Sequence, residues 1–199
     1  MNNFKNNMNE IGIDEAGRGP FFGPVFAGAV IWGNALENDL IKDSKKLSVK
    51  KRAIAREWIE TNVKAFGVGS CSSEEIDNIG ILNATHLAIE RAVKKLKDSI
   101  DFNVNNIVID GLGWEKRSFN FNGDIESVVK GDNKFRNIAA ASILAKEYHD
   151  MAIIKICEDN DDLNLKYDLL KNKGYGTKKH REGISKYGLT QFHRHSFKI

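Results

Sequence analysis

The chain has 199 residues, 41% of them hydrophobic and 29% charged, enough for one well-buried domain with a small appendage and too few for two full-sized domains. Its formal net charge of +3 is too modest to argue by itself for nucleic acid. The polar first ten residues lack the apolar core of a secretion signal and the apolar run Val25 to Trp32 is too short to span a bilayer, so a cytoplasmic protein without membrane contact is expected. Cys71 and Cys157 stand singly and far apart, which excludes a disulfide framework or zinc knuckle and marks them as small core residues.

Taken in order, Ile11-Gly12-Ile13 is a short apolar strand that ends on two adjacent carboxylates, Asp14 and Glu15. Gly17, Gly19 and Gly23 follow, and then a second strand-like run from Pro24 to Trp32, so the segment reads as strand, turn, strand. The glycines do not have the G-x-G-x-x-G spacing of a dinucleotide fingerprint, and no helix opens there. Ser48 can cap a helix on which Ile54, Trp58 and Ile59 recur at helical spacing. Ala65 to Cys71 reads as a third strand, its glycines suggesting close backbone neighbours, and Ser73 to Asp77 as a short helix. A longer helix is expected from about Asn83 to Lys97, with Leu87, Ala88, Ala92 and Leu96 on the face that covers a sheet.

Val104 to Ile109 forms a strand that ends on Asp110-Gly111, and Val128-Val129 leads to Asp132. Either acid suits an ordinary turn, and Asp132 can also help begin the helix Ile138 to Lys146, whose small residues allow tight packing. The acidic patch Glu158 to Asp162 is expected to be a loop before Lys173-Gly174-Tyr175-Gly176-Thr177. Basic residues bunch in Lys42, Lys45, Lys46, Lys50, Lys51 and Arg52, and again in Lys171, Lys173, Lys178, Lys179 and Arg181; such bunches are solvated helix faces or phosphate contacts. These elements give an α/β layer architecture with a mixed sheet.

The run Asp14-Glu15-Ala16-Gly17-Arg18-Gly19-Pro20, the string Asp43-Ser44-Lys45-Lys46-Leu47-Ser48 and the Lys-Gly-Tyr-Gly-Thr motif at 173–177 together resemble bacterial ribonuclease HII, the type 2 ribonuclease H, over nearly the whole chain from Ile11 to Phe197. Gly17-Arg18-Gly19 and the short N-terminus are unlike the sister type, ribonuclease HIII. Departures from the family pattern fall at Gly80, Phe135, Asp168 and Gln191, and the one at Gly80 touches no acid. The resemblance implies a ribonuclease H-like mixed central sheet flanked by helices over 1–157, and a small helical C-terminal part over 158–199 that carries Tyr175.

It also implies that Asp14, Glu15, Asp110 and Asp132 are the catalytic, metal-binding set, and that Gly17, Arg18, Gly19, Lys45 and Tyr175 contact substrate. Oxygen-only carboxylate clusters suit hard cations, here Mg²⁺ or Mn²⁺, and the scattered histidines offer no zinc-type spacing. Setting those four acids aside leaves 23 acidic against 30 basic side chains, an excess of seven for the rest of the molecule. The implied substrate is an RNA/DNA hybrid or a DNA duplex with embedded ribonucleotides, cut on the 5′ side of the ribonucleotide by two-metal chemistry to leave a 3′-hydroxyl and a 5′-phosphate. Specificity must come from the 2′-hydroxyl, which glycines allow backbone groups to approach. A monomer is expected. Two rival readings are a non-catalytic hybrid-binding module, which four carboxylates near phosphates disfavour, and a nucleotide-dependent enzyme, which the glycine spacing disfavours.

Overall fold

The structure is a computed structural model that describes residues 9–33, 38–41, 44 and 47–198. Lys45, with Lys42 and Lys46, lies outside the described residues. Five strands, β1 (Glu10–Ala16), β2 (Val25–Ile31), β3 (Ala65–Cys71), β4 (Asn106–Asp110) and β5 (Asp124–Val128), form one sheet in the order β3-β2-β1-β4-β5. β1, β2 and β3 pair antiparallel, whereas β4 and β5 join parallel to β1. The sheet is mixed, as the strand-helix alternation predicts.

Alternation along β1 splits the sheet into two buried faces. Ile11 and Ile13 join Ala27, Ala29 and Ile31 of β2 in the core under α3 (Ile81–Lys97), from which Ala84, Ala88 and Ala92 point inward. Gly12 and Asp14 face the other way, toward α4 (Arg136–Glu158), which packs there with α1 (Val49–Asn62) through Ile59, Val68, Ala139 to Ala141 and Leu144. Small residues set how close α4 comes. A Cβ on Gly12 would lie 2.5 Å from the Asn137 carbonyl carbon, and one on Gly28 would collide with the Ala141 carbonyl oxygen. The register pairs Gly28 directly with Asp14, so the glycine that admits the helix also brings it over the acid.

Local signals account for most element boundaries. Ser48 caps α1 by accepting from the Lys51 amide, and Ser72 and Glu75 form a capping box at the start of α2 (Ser73–Ile79). Gly80, a departure from the family pattern, separates α2 from α3 at φ +78°, a conformation glycine adopts freely. Phe135, another departure, packs with Val108, Val128 and Ile138 at the head of α4.

Three expectations are corrected. The patch Glu158 to Asp162 is a loop only at Asp159 and Asn160: Glu158 closes α4, and Asp161 and Asp162 open α5 (Asp161–Tyr167), where the helix dipole favours them. Asp132 does not cap α4, which begins at Arg136 with no side-chain cap; it sits in the preceding 3-10 turn, Gly131–Asn133. Arg52 is not on a solvated face but buried, donating to Glu147 at 2.6 Å and Asp150 at 3.2 Å.

The C-terminal helices α5, α6 (Leu169–Asn172) and α7 (Lys178–Tyr187) gather on the far end of α4, where Ile153, Cys157, Leu163, Tyr167 and Leu169 enclose Phe22. α4 therefore spans both regions, its first half on the sheet and its last turns in this second core. Between α5 and α6 the chain turns through Asp168 at φ +58°, a left-handed conformation that costs a residue with a Cβ about 1 kcal/mol. Asp168→Gly is expected to raise the melting temperature by roughly 2–4 °C, read by thermal denaturation; a lower melting temperature would mean that the aspartate contributes more than its backbone costs.

Candidate active site

Asp14 and Asp110 stand near the C-terminal ends of β1 and β4, which run parallel and adjacent with Ile13 opposite Ile109. The pairing therefore brings two carboxylates from distant parts of the sequence side by side. Glu15 follows on β1, and its Oε1 accepts from Arg18 at 3.2 Å. Asp14 is 7% exposed and accepts from the Glu15 amide at 2.7 Å. Burial, then the charges of Glu15 and Asp110, push the Asp14 pKa well above its usual value. Burial also raises Glu15, with Arg18 opposing and Asp110 adding to the rise.

These acids share a cleft of about 290 Å³ with Gly17, Arg18, Gly19, Ser44, Ser142, Lys146 and Tyr175. Tyr175 lines the same cleft, with its ring so placed that a Cβ on Gly19 would be 3.6 Å from Cε1. Lys146 reaches toward the same ring, 5.8 Å from its centroid, while its ammonium group donates to Asp150 at 2.7 Å. Asp132 is buried but stands outside the cleft wall, with its carboxylate accepting from the Asn133 side chain at 2.9 Å. Its turn is tied to the site through Asp110, whose Oδ1 accepts from the Gly131 amide at 2.6 Å. A larger cavity, about 420 Å³ beside α3 and Phe119 to Phe121, contains none of the candidate residues.

The donor set fits a hard divalent cation. Glu15 Oε2 is buried with no hydrogen-bond partner, beside a desolvated Asp14 that has two negative neighbours. Two such charges about 5 Å apart repel by roughly 3 kcal/mol at an effective dielectric of about 20, so a cation between them relieves both the repulsion and the unsatisfied oxygen. Among the described residues no three acids, histidines or cysteines are drawn tightly enough together to form a ready-made cage.

The loop beside the acids is held by a residue that sequence reasoning missed. Arg194 is fully buried, and each of its five N–H bonds meets a carbonyl of the segment 17–24: Nη2 donates to Gly17 at 2.6 Å and Pro24 at 3.1 Å, Nη1 to Arg18 at 3.0 Å and Pro20 at 2.9 Å, and Nε to Gly23 at 2.9 Å. Burial lowers its pKa to about 10, which leaves it charged at neutral pH. Gly17 takes φ +87°, and a Cβ there would strike the His149 ring. The missed signal was a set of turn carbonyls without ladder partners, which in a buried loop demand donors from elsewhere. Ser142 and Lys146 were also missed as cleft residues; their i, i+4 spacing on α4 places them on one side of that helix.

Comparison with known proteins bears on these features. A family model described as Ribonuclease HII matches residues 11–199. The Ribonuclease HII of Christiangramia forsetii is 43% identical over 199 residues, covering 100% of this chain and 95% of the relative. That of Bacteroides fragilis strain ATCC 25285 is 46% identical over 192 residues, covering 96% and 89%. Among solved structures, the PCNA:RNase HII complex from Archaeoglobus fulgidus has a chain that superposes with a TM-score of 0.73 at 23% identity, over 96% of this chain and 95% of that one. Bst-RNase HIII in complex with Mn²⁺ has a TM-score of 0.60 at 18% identity, over 88% and 69%. At these identities the structures speak for the fold alone.

Arg194→Lys is expected to lower stability by about 3 kcal/mol, because an ammonium group cannot reproduce the five-donor fork and leaves buried carbonyls unsatisfied. Thermal melting, with hydrogen exchange over residues 17–24, checks this; a variant that melts like the wild type would show that the loop holds itself.

Proposed function

The chain belongs to the ribonuclease HII family, type 2 ribonucleases H that act on RNA/DNA hybrids, and we propose that it is an endonuclease cutting the phosphodiester on the 5′ side of a ribonucleotide. The proposed substrates are RNA/DNA hybrids and duplex DNA with embedded ribonucleotides, and the products a 3′-hydroxyl and a 5′-phosphate. The observation that carries the reading is one cleft whose walls combine Asp14, Glu15 and Asp110 with Gly17-Arg18-Gly19 and Tyr175.

In this reading Asp14, Glu15 and Asp110 would hold Mg²⁺ or Mn²⁺, with Asp132 completing the set from the turn that Asp110 anchors. The manganese in the ribonuclease HIII structure supports a cation of this kind. Such ions supply the Lewis acidity for phosphodiester hydrolysis, making a water more acidic and offsetting charge on the leaving oxygen. The chain's own groups position the nucleic acid. With the Gly17 and Arg18 carbonyls held by Arg194, the amides of Gly17 to Gly19 are the backbone groups offered to a sugar edge in the minor groove, and the Tyr175 ring packs against the deoxyribose that follows. A 2′-hydroxyl on that following sugar would crowd the ring. Lys146 adds positive charge in the cleft, and Arg181, stacked 4.7 Å over Phe21, adds more beside Tyr175.

Residues 1–157 form the catalytic part in this proposal and 158–199 the substrate-contacting part. No helix among the described residues is long and apolar enough to cross a membrane. We take the working unit as a monomer.

Cleavage of a duplex with one embedded ribonucleotide should require added Mg²⁺ or Mn²⁺ and should be lost in Asp14→Asn and Asp132→Asn. An Asp132→Asn variant that cuts at the wild-type rate would remove Asp132 from the set. Tyr175→Ala should slow cleavage at the embedded ribonucleotide roughly ten- to a hundredfold and slow cleavage of an all-RNA hybrid strand less; equal losses in a folded variant would make Tyr175 a purely structural residue.

A further inference from the structure

Two fully buried histidines from separate elements meet behind Tyr175. His180 lies in the first turn of α7, His193 in the C-terminal segment, and their Nε2 atoms are 3.2 Å apart. The protons on both rings can be assigned from their neighbours. His193 Nδ1 faces the backbone N–H of Thr190 at 2.9 Å, and a backbone N–H can only donate, so that nitrogen is bare and the ring proton is on Nε2. His193 Nε2–H then donates to His180 Nε2, which leaves the proton of His180 on Nδ1. That Nδ1 points at the Tyr175 carbonyl, 3.0 Å away. All four ring nitrogens are used, in one direction, and the relay ends on the backbone of Tyr175.

The surroundings keep the pair neutral. Phe21, Phe22 and Tyr167 line it with aromatic rings. The charged or titratable groups acting on it are Arg181 on α7 and His195 in the C-terminal segment, where Arg194 adjoins His193; no carboxylate acts on either ring among the described residues. Burial, then His180 and His195, push His193 down to about 4, and burial lowers His180 as well. A second proton on the pair would set one N–H against another.

We propose that His180 and His193 form a positioning pair for Tyr175, in which the His180 Nδ1–H fixes the Tyr175 carbonyl and thereby sets the ring against Gly19 in the cleft. The Thr177 amide also donates to this carbonyl, at 2.8 Å, so without His180 the 174–177 turn keeps its local bond and loses its tie to the C-terminal segment. The inference rests on the reading of Tyr175 as the residue that senses the RNA–DNA junction. Neither histidine touches substrate; both act through Tyr175.

The test compares two substitutions that differ in the donor. His180→Phe keeps an aromatic ring and removes the N–H, whereas His180→Asn places an amide N–H near the position of Nδ1. The readout is the ratio of kcat/KM on a duplex with one embedded ribonucleotide to kcat/KM on an all-RNA hybrid strand, measured with Mg²⁺. The ratio should fall roughly three- to tenfold in His180→Phe, the scale of one lost hydrogen bond, and recover in His180→Asn. An unchanged ratio in His180→Phe, alongside a lowered ratio in Tyr175→Ala, would overturn the positioning pair and leave the Tyr175 reading standing. An unchanged ratio in Tyr175→Ala would bring down both. Imidazole nitrogen NMR on the wild-type protein supplies a check independent of how any variant folds: it should show His193 protonated on Nε2 and His180 on Nδ1, and the same tautomer in both rings would contradict the relay.

Discussion

Carboxylates crowded into a poorly solvated corner are the constraint around which this molecule is arranged. Asp14 is buried because α4 lies close over the sheet, and α4 lies close because Gly12 and Gly28 present it with bare backbone. The parallel pairing of β1 with β4 then sets Asp110 beside it, and Glu15 follows in the chain. Burial and like charge both oppose ionisation of Asp14, and burial opposes that of Glu15 with Arg18 working against it. A site that destabilises its own resting state in this way is suited to a ligand of opposite charge.

Support for that corner comes from the opposite end of the sequence. In the loop from Gly17 to Pro24, which runs past the acids, five carbonyls take their donors from the Arg194 side chain in the C-terminal segment. The same segment carries His193, and an isolated bridge between Phe22 and His193 joins the two stretches of backbone. Gly174 and Phe21 add a further bond at 2.8 Å, so the turn that bears Tyr175 and the loop that bears Gly17-Arg18-Gly19 are parts of one assembly. The buried acids and the wall formed by Gly17-Arg18-Gly19 and Tyr175 are thus placed by different elements that share a single set of buried hydrogen bonds.

Strands ending in acids, capped helices and the glycine turn were all legible in the sequence, because each is set by neighbours within a few residues. The acids were legible one by one as residues following apolar runs, but each suits an ordinary turn, and their grouping into one site was read through the family resemblance. Long-range polar contacts were not legible. Nothing near Arg52 in sequence marks it as buried, for its partners Glu147 and Asp150 are on α4. Arg194 carries no local signal either, for its partners are carbonyls some 170 residues away, which no periodicity reports. Asp132, read as a site residue through the same resemblance, lies one residue from the Gly131 amide that holds Asp110, outside the cleft wall.

The corner's charge should cost the folded protein stability that a divalent cation restores. The most direct test is the melting temperature of wild type and Asp14→Asn, each with and without Mg²⁺. In chelated buffer the variant should melt higher, by on the order of 1 kcal/mol or roughly 2–4 °C, because it removes a buried, repelled charge at nearly constant volume. Added Mg²⁺ should raise the wild type and leave the variant largely unmoved. A variant that melts lower than the wild type in chelated buffer, or that gains as much from Mg²⁺, would contradict the account.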